Sequence, residues 1–300
     1  MRNAFVESLF FEAKKNPDIV LITGDLGFQL FESFKSEIPN QFINAGLTEQ
    51  SMMTMAAGMA STGKRVFVYS IANFSTFRCL EQIRNDVSYM GASVVVVSVG
   101  AGYAYGALGY SHHALEDLAI MRSLPNMQIV SPADRHEVNA IIPMLAQSNE
   151  PCYLRIGKAN EADVHDQTPS VKWGRFVQIR DGSYGFVFFT GSVGKLVVEA
   201  SDFLRDEGKL ISVYSVPFVS LLDMSVLESV PDYAKVVVVE EHFARGGLTT
   251  ALLEAFNHLG KFINVSSVSS TLQDLSLTGS QEFLREKNGI SLEKIIQHFS

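Results

Sequence analysis

The chain is poor in charge, in cysteine and in tryptophan, and each shortage narrows what it can be. Only 19% of its 300 residues are Asp, Glu, Lys or Arg, against 47% apolar. So thinly charged an exterior implies that another subunit covers part of it. The net charge of −8 comes with no basic stripe, which excludes nucleic acid as a partner. Cys79 and Cys152 stand 73 residues apart, without a CxxC or a histidine at ligand spacing. That excludes a disulfide scaffold and a zinc site and fits two buried thiols in a reducing cytoplasm. Val87 to Leu115 holds no charged residue across 29 positions, but five glycines, four serines and two histidines interrupt it. It reads as a buried strand entering a buried loop, not a lipid-facing helix, so no membrane association is expected. Glu7, Glu12, Lys14 and Lys15 precede any long apolar run, so no signal peptide is expected and the location reads as cytoplasmic.

What is present is alternation. Short β-branched runs at Ile19–Thr23, Gln41–Asn44, Arg65–Ser70, Ser93–Val99, Met127–Val130 and Cys152–Ile156 are separated by helical patterns, including Arg2–Lys15, Glu49–Thr62, Phe77–Tyr89, His113–Leu124 and Arg135–Gln147. After the polar stretch Lys158–Lys172 a second series begins, with strands at Gly185–Thr190, Leu210–Val216, Lys235–Glu240 and Phe262–Val265. The pattern predicts an α/β chain of two domains, 1–164 and 165–300, each a mostly parallel sheet covered by helices on both faces.

Two glycine-rich strings fail as nucleotide motifs. In Gly100-Ala101-Gly102-Tyr103-Ala104-Tyr105, a tyrosine stands where the dinucleotide fingerprint needs its third glycine. In Gly191-Ser192-Val193-Gly194-Lys195-Leu196, leucine replaces the hydroxyl of a P-loop, and Phe189 replaces its first glycine.

Glu49 is the only charged residue in the 26 from Ile38 to Gly63. Thr48 reads as the N-cap of a helix whose Met52, Met53, Met55, Ala56, Ala57 and Met59 predict burial on nearly every face. A carboxylate there can complement the helix dipole. Its apolar surroundings equally demand a raised proton affinity or a fixed hydrogen-bond partner. Beyond the third strand, Ile71, Phe74 and Phe77 recur every three residues and are followed by Arg78. An ordinary core stripe has that spacing, but parallel sheets bind ligands beyond their carboxyl ends, where an aromatic could stack on a flat heterocycle. Further on come Ser111, His112 and His113, with Ser111 placed to cap a helix. Adjacent histidines on a helix point apart, so proton transfer or substrate hydrogen bonding suits them better than shared metal ligation. Two histidines packed at a surface turn remain the alternative.

Taken together these blocks resemble the transketolase superfamily of thiamine diphosphate enzymes. Asn44–Gln50 and the small-residue helix are similar to the family's pyrimidine-domain signature, which implies that Glu49 is the cofactor-activating glutamate. The resemblance makes Phe74 the stacking residue, flanked by Ile71, Phe77 and Arg78, and His112 the active-site histidine, with His113 beside it. Tyr153-Leu154-Arg155 resembles the segment whose arginine holds a donor phosphate. Arg2 and Asp25 are weaker matches to substrate-binding positions. Val239–His242 and Gly246-Gly247 resemble the C-terminal domain. The chain departs from the family where Leu108 replaces an aspartate and Gly100 a histidine, both of which read a ketose donor.

The resemblance further implies thiamine diphosphate with Mg2+, the metal and diphosphate being held mainly by a separate N-terminal subunit, because the Gly-Asp-Gly…Asn site has no complete counterpart here. It implies an α2β2 assembly of the split-transketolase kind that transfers a two-carbon ketol unit between sugars. The rival expectations are the β subunit of a 2-oxoacid dehydrogenase and a non-catalytic subunit that kept the fold.

Overall fold

The computed structural model describes residues 1–271 and 274–300. Dense Val and Ile runs become strands because branched side chains pack well on a pleated surface, and strands buried on both faces need no polar alternation. The first sheet contains β1 (Ile19–Thr23), β2 (Phe42–Asn44), β3 (Arg65–Ile71), β4 (Val94–Val99), β5 (Gln128–Val130) and β6 (Cys152–Ile156). All its pairings are parallel, in the order β2-β1-β3-β4-β6-β5. Alternate residues serve opposite faces. Phe67, Val95 and Val97 meet Phe5 and Leu9 of the helix Arg2–Lys15 and Val138 and Ile142 of the helix Arg135–Gln147. Val66, Val68, Val94 and Val96 meet Met52, Met53 and Ala56 of the helix Glu49–Ala60.

The second sheet has β7 (Val177–Arg180), β8 (Gly185–Thr190), β9 (Ile211–Ser215), β10 (Lys235–Glu240) and β11 (Asn264–Val268), in the order β11-β10-β8-β9-β7. Its edge strand β7 runs antiparallel to β9, which the sequence reading did not anticipate. Also unanticipated are two short helices, Gln281–Lys287 and Leu292–Gln297, each capped by a serine side chain, Ser280 and Ser291. The region expected as one helix, Phe77–Tyr89, is a composite that ends in a π-helical turn, Ile83–Tyr89. Both cysteines are free and buried. Among the described residues no helix is long and apolar enough to cross a membrane.

The two sheets are joined by backbone as well as side chains. Ser131 N–H donates to Pro217 O at 2.8 Å, and Val219 N–H donates to Ile129 O at 2.9 Å. The polar segment between the sheets is docked, not free. Asp134, which caps the helix Arg135–Gln147, also accepts from the backbone N–H groups of Val164 and His165 and lies 3.0 Å from His165 Nδ1. Burial by itself would raise the Asp134 carboxyl and lower the His165 imidazole. Their contact and the surrounding N–H groups outweigh it, leaving Asp134 below and His165 above their ordinary values. Glu137, fully buried beside them, is pushed up by burial to about 7.

Glu137 and His165 thus bind protons more tightly folded than unfolded, so their contribution is complete at low pH and lost as pH rises. For Glu137 the window runs from its ordinary 4.5 to about 7, and for His165 it lies above 6.5. Melting curves should therefore show Glu137→Gln losing less stability than the parent between pH 5 and pH 8. Equal losses in the two proteins would contradict the assignment.

Candidate active site at the carboxyl ends of the first sheet

The carboxyl ends of β1, β2, β3 and β4 carry the residues expected to act. A topological switch sits between β1 and β3, since the chain leaves β1 for β2 on one side and returns to β3 on the other. At the end of β1, an added Cβ on Gly24 would lie 3.1 Å from Gly46 O and from Met52 Sδ. A side chain here would have to push the Gly46 carbonyl or Met52 back by a few tenths of an ångström, so glycine suits this close approach of the two strand ends. Asn44, the last residue of β2, ties this corner together. Its Oδ1 accepts from Asp25 N–H at 2.9 Å and Gly46 N–H at 3.1 Å, and its Nδ2 donates to Asp25 Oδ1 at 3.2 Å. Asp25 is therefore exposed at the rim and held by Asn44.

This corner delivers Glu49 as the first residue of its helix, 2% exposed. Thr48 does not cap the helix, because its hydroxyl turns back to Ala45 O at 2.8 Å. Of the two outcomes that burial demanded, a fixed partner is what the fold supplies: Arg78 Nη1 donates to Glu49 Oε2 at 2.8 Å. Nor is the helix buried on every face within this chain. Met52, Met53 and Ala56 point inward, while Thr54, Met55 and Gly58 are exposed, and Thr54 and Gly58 border a groove of about 780 Å³ with Asp86 and Met90. A sequence window cannot show which apolar face meets its own chain.

Phe74 projects just past β3, half-buried, with Ile71 half-buried and Phe77 exposed beside it. The Arg78 guanidinium lies 4.5 Å from the Phe74 ring centroid, so one cation touches both the aromatic and the carboxylate. Gln50 fixes that arginine by donating from Nε2 to Arg78 O at 3.0 Å. His112 packs edge-on to Phe74 with centroids 5.3 Å apart, and Asn73 Nδ2 donates to Ser111 O at 2.9 Å, tying the histidine loop to the phenylalanine turn. Ser111 is not a helix cap: it sits in a 3-10 turn with its Oγ 3.0 Å from His112 Nδ1, and the helix begins at Asp117.

Glu49, Phe74, Arg78 and His112 are thus brought together, and two other expected residues are not. His113 turns the opposite way, 2% exposed, edge-on to Tyr103 at 5.0 Å and Tyr110 at 6.2 Å. Burial lowers its imidazole, which favours the neutral ring where it packs between the two tyrosines. Arg155, expected to clamp a substrate phosphate, is 2% exposed and sealed in the joint between the sheets. Its Nε donates to Asp117 Oδ2 at 2.7 Å, and its Nη2 donates to Ala114 O at 2.8 Å and Glu241 O at 2.9 Å. Tyr153 adds a hydroxyl to the same Asp117 oxygen at 2.6 Å, and His242 Nε2 stands 3.8 Å from Asp117 Oδ1. Burial alone would raise the Asp117 carboxyl; Arg155 and His242 outweigh it and hold it below the ordinary value. This is a structural ion pair. Sequence reading missed Asp117 because nothing local marks a residue whose partner lies 38 positions away.

Arg2 opens the first helix, its backbone N–H donating to Lys158 O at 3.2 Å beyond β6, and its guanidinium stands close enough to Tyr105 to temper the upward push of burial on that phenol. Tyr105 is a second missed residue. Gly100 has φ +95°, and a Cβ there would fall 2.3 Å from the Tyr105 ring. The tyrosine, whose ring centroid is 6.5 Å from that of His112, therefore fills the space that a larger residue at position 100 would need. Leu108 is 58% exposed on the same loop.

As for chemistry, a buried carboxylate beside an aromatic, spanned by a flat cation, fits a flat nitrogen heterocycle. Among the described residues no group of three His, Cys, Asp or Glu stands close enough to hold a metal ion.

Both parts of the chain match domains of known proteins. Residues 1–162 match the transketolase pyrimidine-binding domain and residues 174–295 the transketolase C-terminal domain. The chain is 32% identical over 259 residues to an apulose-4-phosphate transketolase subunit of Phocaeicola vulgatus, covering 85% of this chain and 83% of that one. It is 33% identical over 266 residues to a putative transketolase C-terminal section of Methanocaldococcus jannaschii, covering 87% and 84%. Among solved structures, a split-gene transketolase described as an inactive β4 tetramer superposes with a TM-score of 0.90 at 30% identity, covering 99% of this chain and 96% of that one.

Proposed function

The chain belongs to the transketolase family, as a C-terminal subunit of the split kind, and from that premise we propose that it grips the pyrimidine end of thiamine diphosphate for ketol transfer between sugars. In this reading residues 1–164 form the pyrimidine-binding domain and 165–300 the C-terminal domain. One observation carries it: Glu49, a buried carboxylate heading a helix, shares a single flat cation with the face of Phe74.

Thiamine diphosphate, when bound, supplies the electron-sink chemistry by which a two-carbon ketol unit passes from a ketose to an aldehyde. The chain supplies orientation and proton control. Glu49 hydrogen-bonds a pyrimidine nitrogen and sets where that ring's proton resides. Phe74 stacks on the ring, with Ile71 and Phe77 excluding water at its edges. His112, next to Phe74, moves protons on a substrate hydroxyl, and Arg2 and Asp25 border the entry.

The Mg2+ and the diphosphate belong to the partner in this proposal, for two reasons. The sequence carries no complete Gly-Asp-Gly…Asn string, and the half-buried Phe74, the exposed Phe77 and Arg78 and the exposed Thr54–Met55 side of the helix face outward where a second chain can close the site over Glu49. The partial coverage of undivided relatives supports the same division. A 1-deoxy-D-xylulose-5-phosphate synthase from Magnetococcus marinus is 32% identical over 263 residues, and the match covers only 41% of it. We take the assembly to be α2β2, which a mass measurement by light scattering checks directly.

The decisive experiment is co-purification with the chain encoded beside it, followed by a screen of ketose phosphates with thiamine diphosphate and magnesium. Ketose consumption is expected only with both chains present. Decarboxylation of pyruvate without ketose turnover would instead indicate a 2-oxoacid dehydrogenase subunit.

A further inference from the structure

A ring that stacks on Phe74 while hydrogen-bonding Glu49 must lie where it can touch both. That space is filled. The Arg78 guanidinium is 2.8 Å from Glu49 Oε2 and 4.5 Å from the Phe74 centroid. A guanidinium is planar, cationic and edged with N–H donors, and it lies readily on aromatic faces. These are the features that a protonated aminopyrimidine would present to the same two groups.

We propose that Arg78 stands in for the cofactor ring in the unloaded subunit and is displaced when the ring binds. This rests on the reading that Glu49 and Phe74 form the pyrimidine site. The stand-in answers a physical need. Glu49 is 2% exposed, and leaving it unpaired until assembly would strand a buried charge. Arg78 can leave because its own side chain is 49% exposed, so the guanidinium regains solvent on swinging out. Gln50 holds only the Arg78 carbonyl, which leaves the side chain free to rotate while the backbone stays put. The arrangement makes loading competitive: the cofactor binds the fraction of molecules in which Arg78 is out, and apparent affinity falls by that fraction.

The test is thiamine diphosphate binding, measured by calorimetry with magnesium on the assembled complex, in parent, Arg78→Met and Arg78→Lys proteins. Methionine keeps most of the length but neither bonds Glu49 nor presents a cationic plane. Removing the competitor should tighten the apparent Kd by roughly five- to tenfold, the combined scale of one partly exposed ion pair and one cation–π contact. Arg78→Lys, which keeps the ion pair but not the flat face, should fall between the two. The isolated Arg78→Met chain should also melt lower than the parent and gain more from Glu49→Gln than the parent does, a readout that requires no cofactor.

Cofactor binding that is unchanged or weaker in a folded, assembled Arg78→Met complex would overturn the proposal and make Arg78 a bystander or a cofactor ligand. Failure of the parent complex itself to bind thiamine diphosphate is a different result. It would bring down the cofactor reading, and this proposal with it.

Discussion

Replacing Glu49 by Gln should lower turnover of the assembled enzyme by roughly 10²–10⁴-fold, the range expected when a positioned proton-transfer group is lost. Glutamine has nearly the same shape and can still donate or accept a hydrogen bond, but it cannot carry or release a proton near neutral pH. The change falls on a residue that is 2% exposed yet adjoins the surface, since its Oε2 meets the half-exposed Arg78. Folding should survive because the helix is anchored by Met52, Met53 and Ala56 rather than by the carboxylate. Initial rates with a ketose phosphate, set beside a melting curve of the isolated chain, separate the two effects. A variant turning over within twofold of the parent would falsify the cofactor-tuning role and favour a subunit that kept the fold without the chemistry.

The second large effect is on stability. Asp117→Ala should cost about 3–5 kcal/mol, the usual consequence of leaving one member of a buried ion pair without its partner. Arg155 would then be buried with only the carbonyls of Ala114 and Glu241 to accept its bonds, and Tyr153 would lose its acceptor. At roughly 2–4 °C per kcal/mol for domains of this size, the melting point should drop by something on the order of 10 °C. Because the pair sits between the sheets, both should loosen together. Arg155→Ala should behave the same way. A melting point that did not move, accompanied by a raised KM for phosphorylated substrates, would restore the phosphate-binding role that the sequence suggested.

Legibility followed the range of the interactions involved. The strands of both sheets could be read because a buried parallel strand advertises itself within five or six residues, as Val94–Val99 and Lys235–Glu240 do. Glu49 could be read because burial of a carboxylate is implied by its neighbours along the chain. Less legible was the antiparallel edge strand Val177–Arg180, only partly buried and lacking a strong pattern. The composite region Phe77–Tyr89 was misread as one regular helix, since helical periodicity does not distinguish the turns that carry it.

Sequence alone therefore determined the two-sheet α/β architecture, the isolation of Glu49, and the aromatic step that places Phe74 after β3. Each depends on side chains close together in the chain, where periodicity and local polarity act. Only the tertiary structure decided that Arg78 bridges Glu49 and Phe74, that His112 joins them while its neighbour His113 turns away, and that Arg155 pairs with Asp117 in the joint between the sheets. Those outcomes are set by which strand ends adjoin and which charges are shut off from water together. Burial and pairing across the fold, more than residue type, distinguish a charged side chain that holds the chain together from one that meets a ligand.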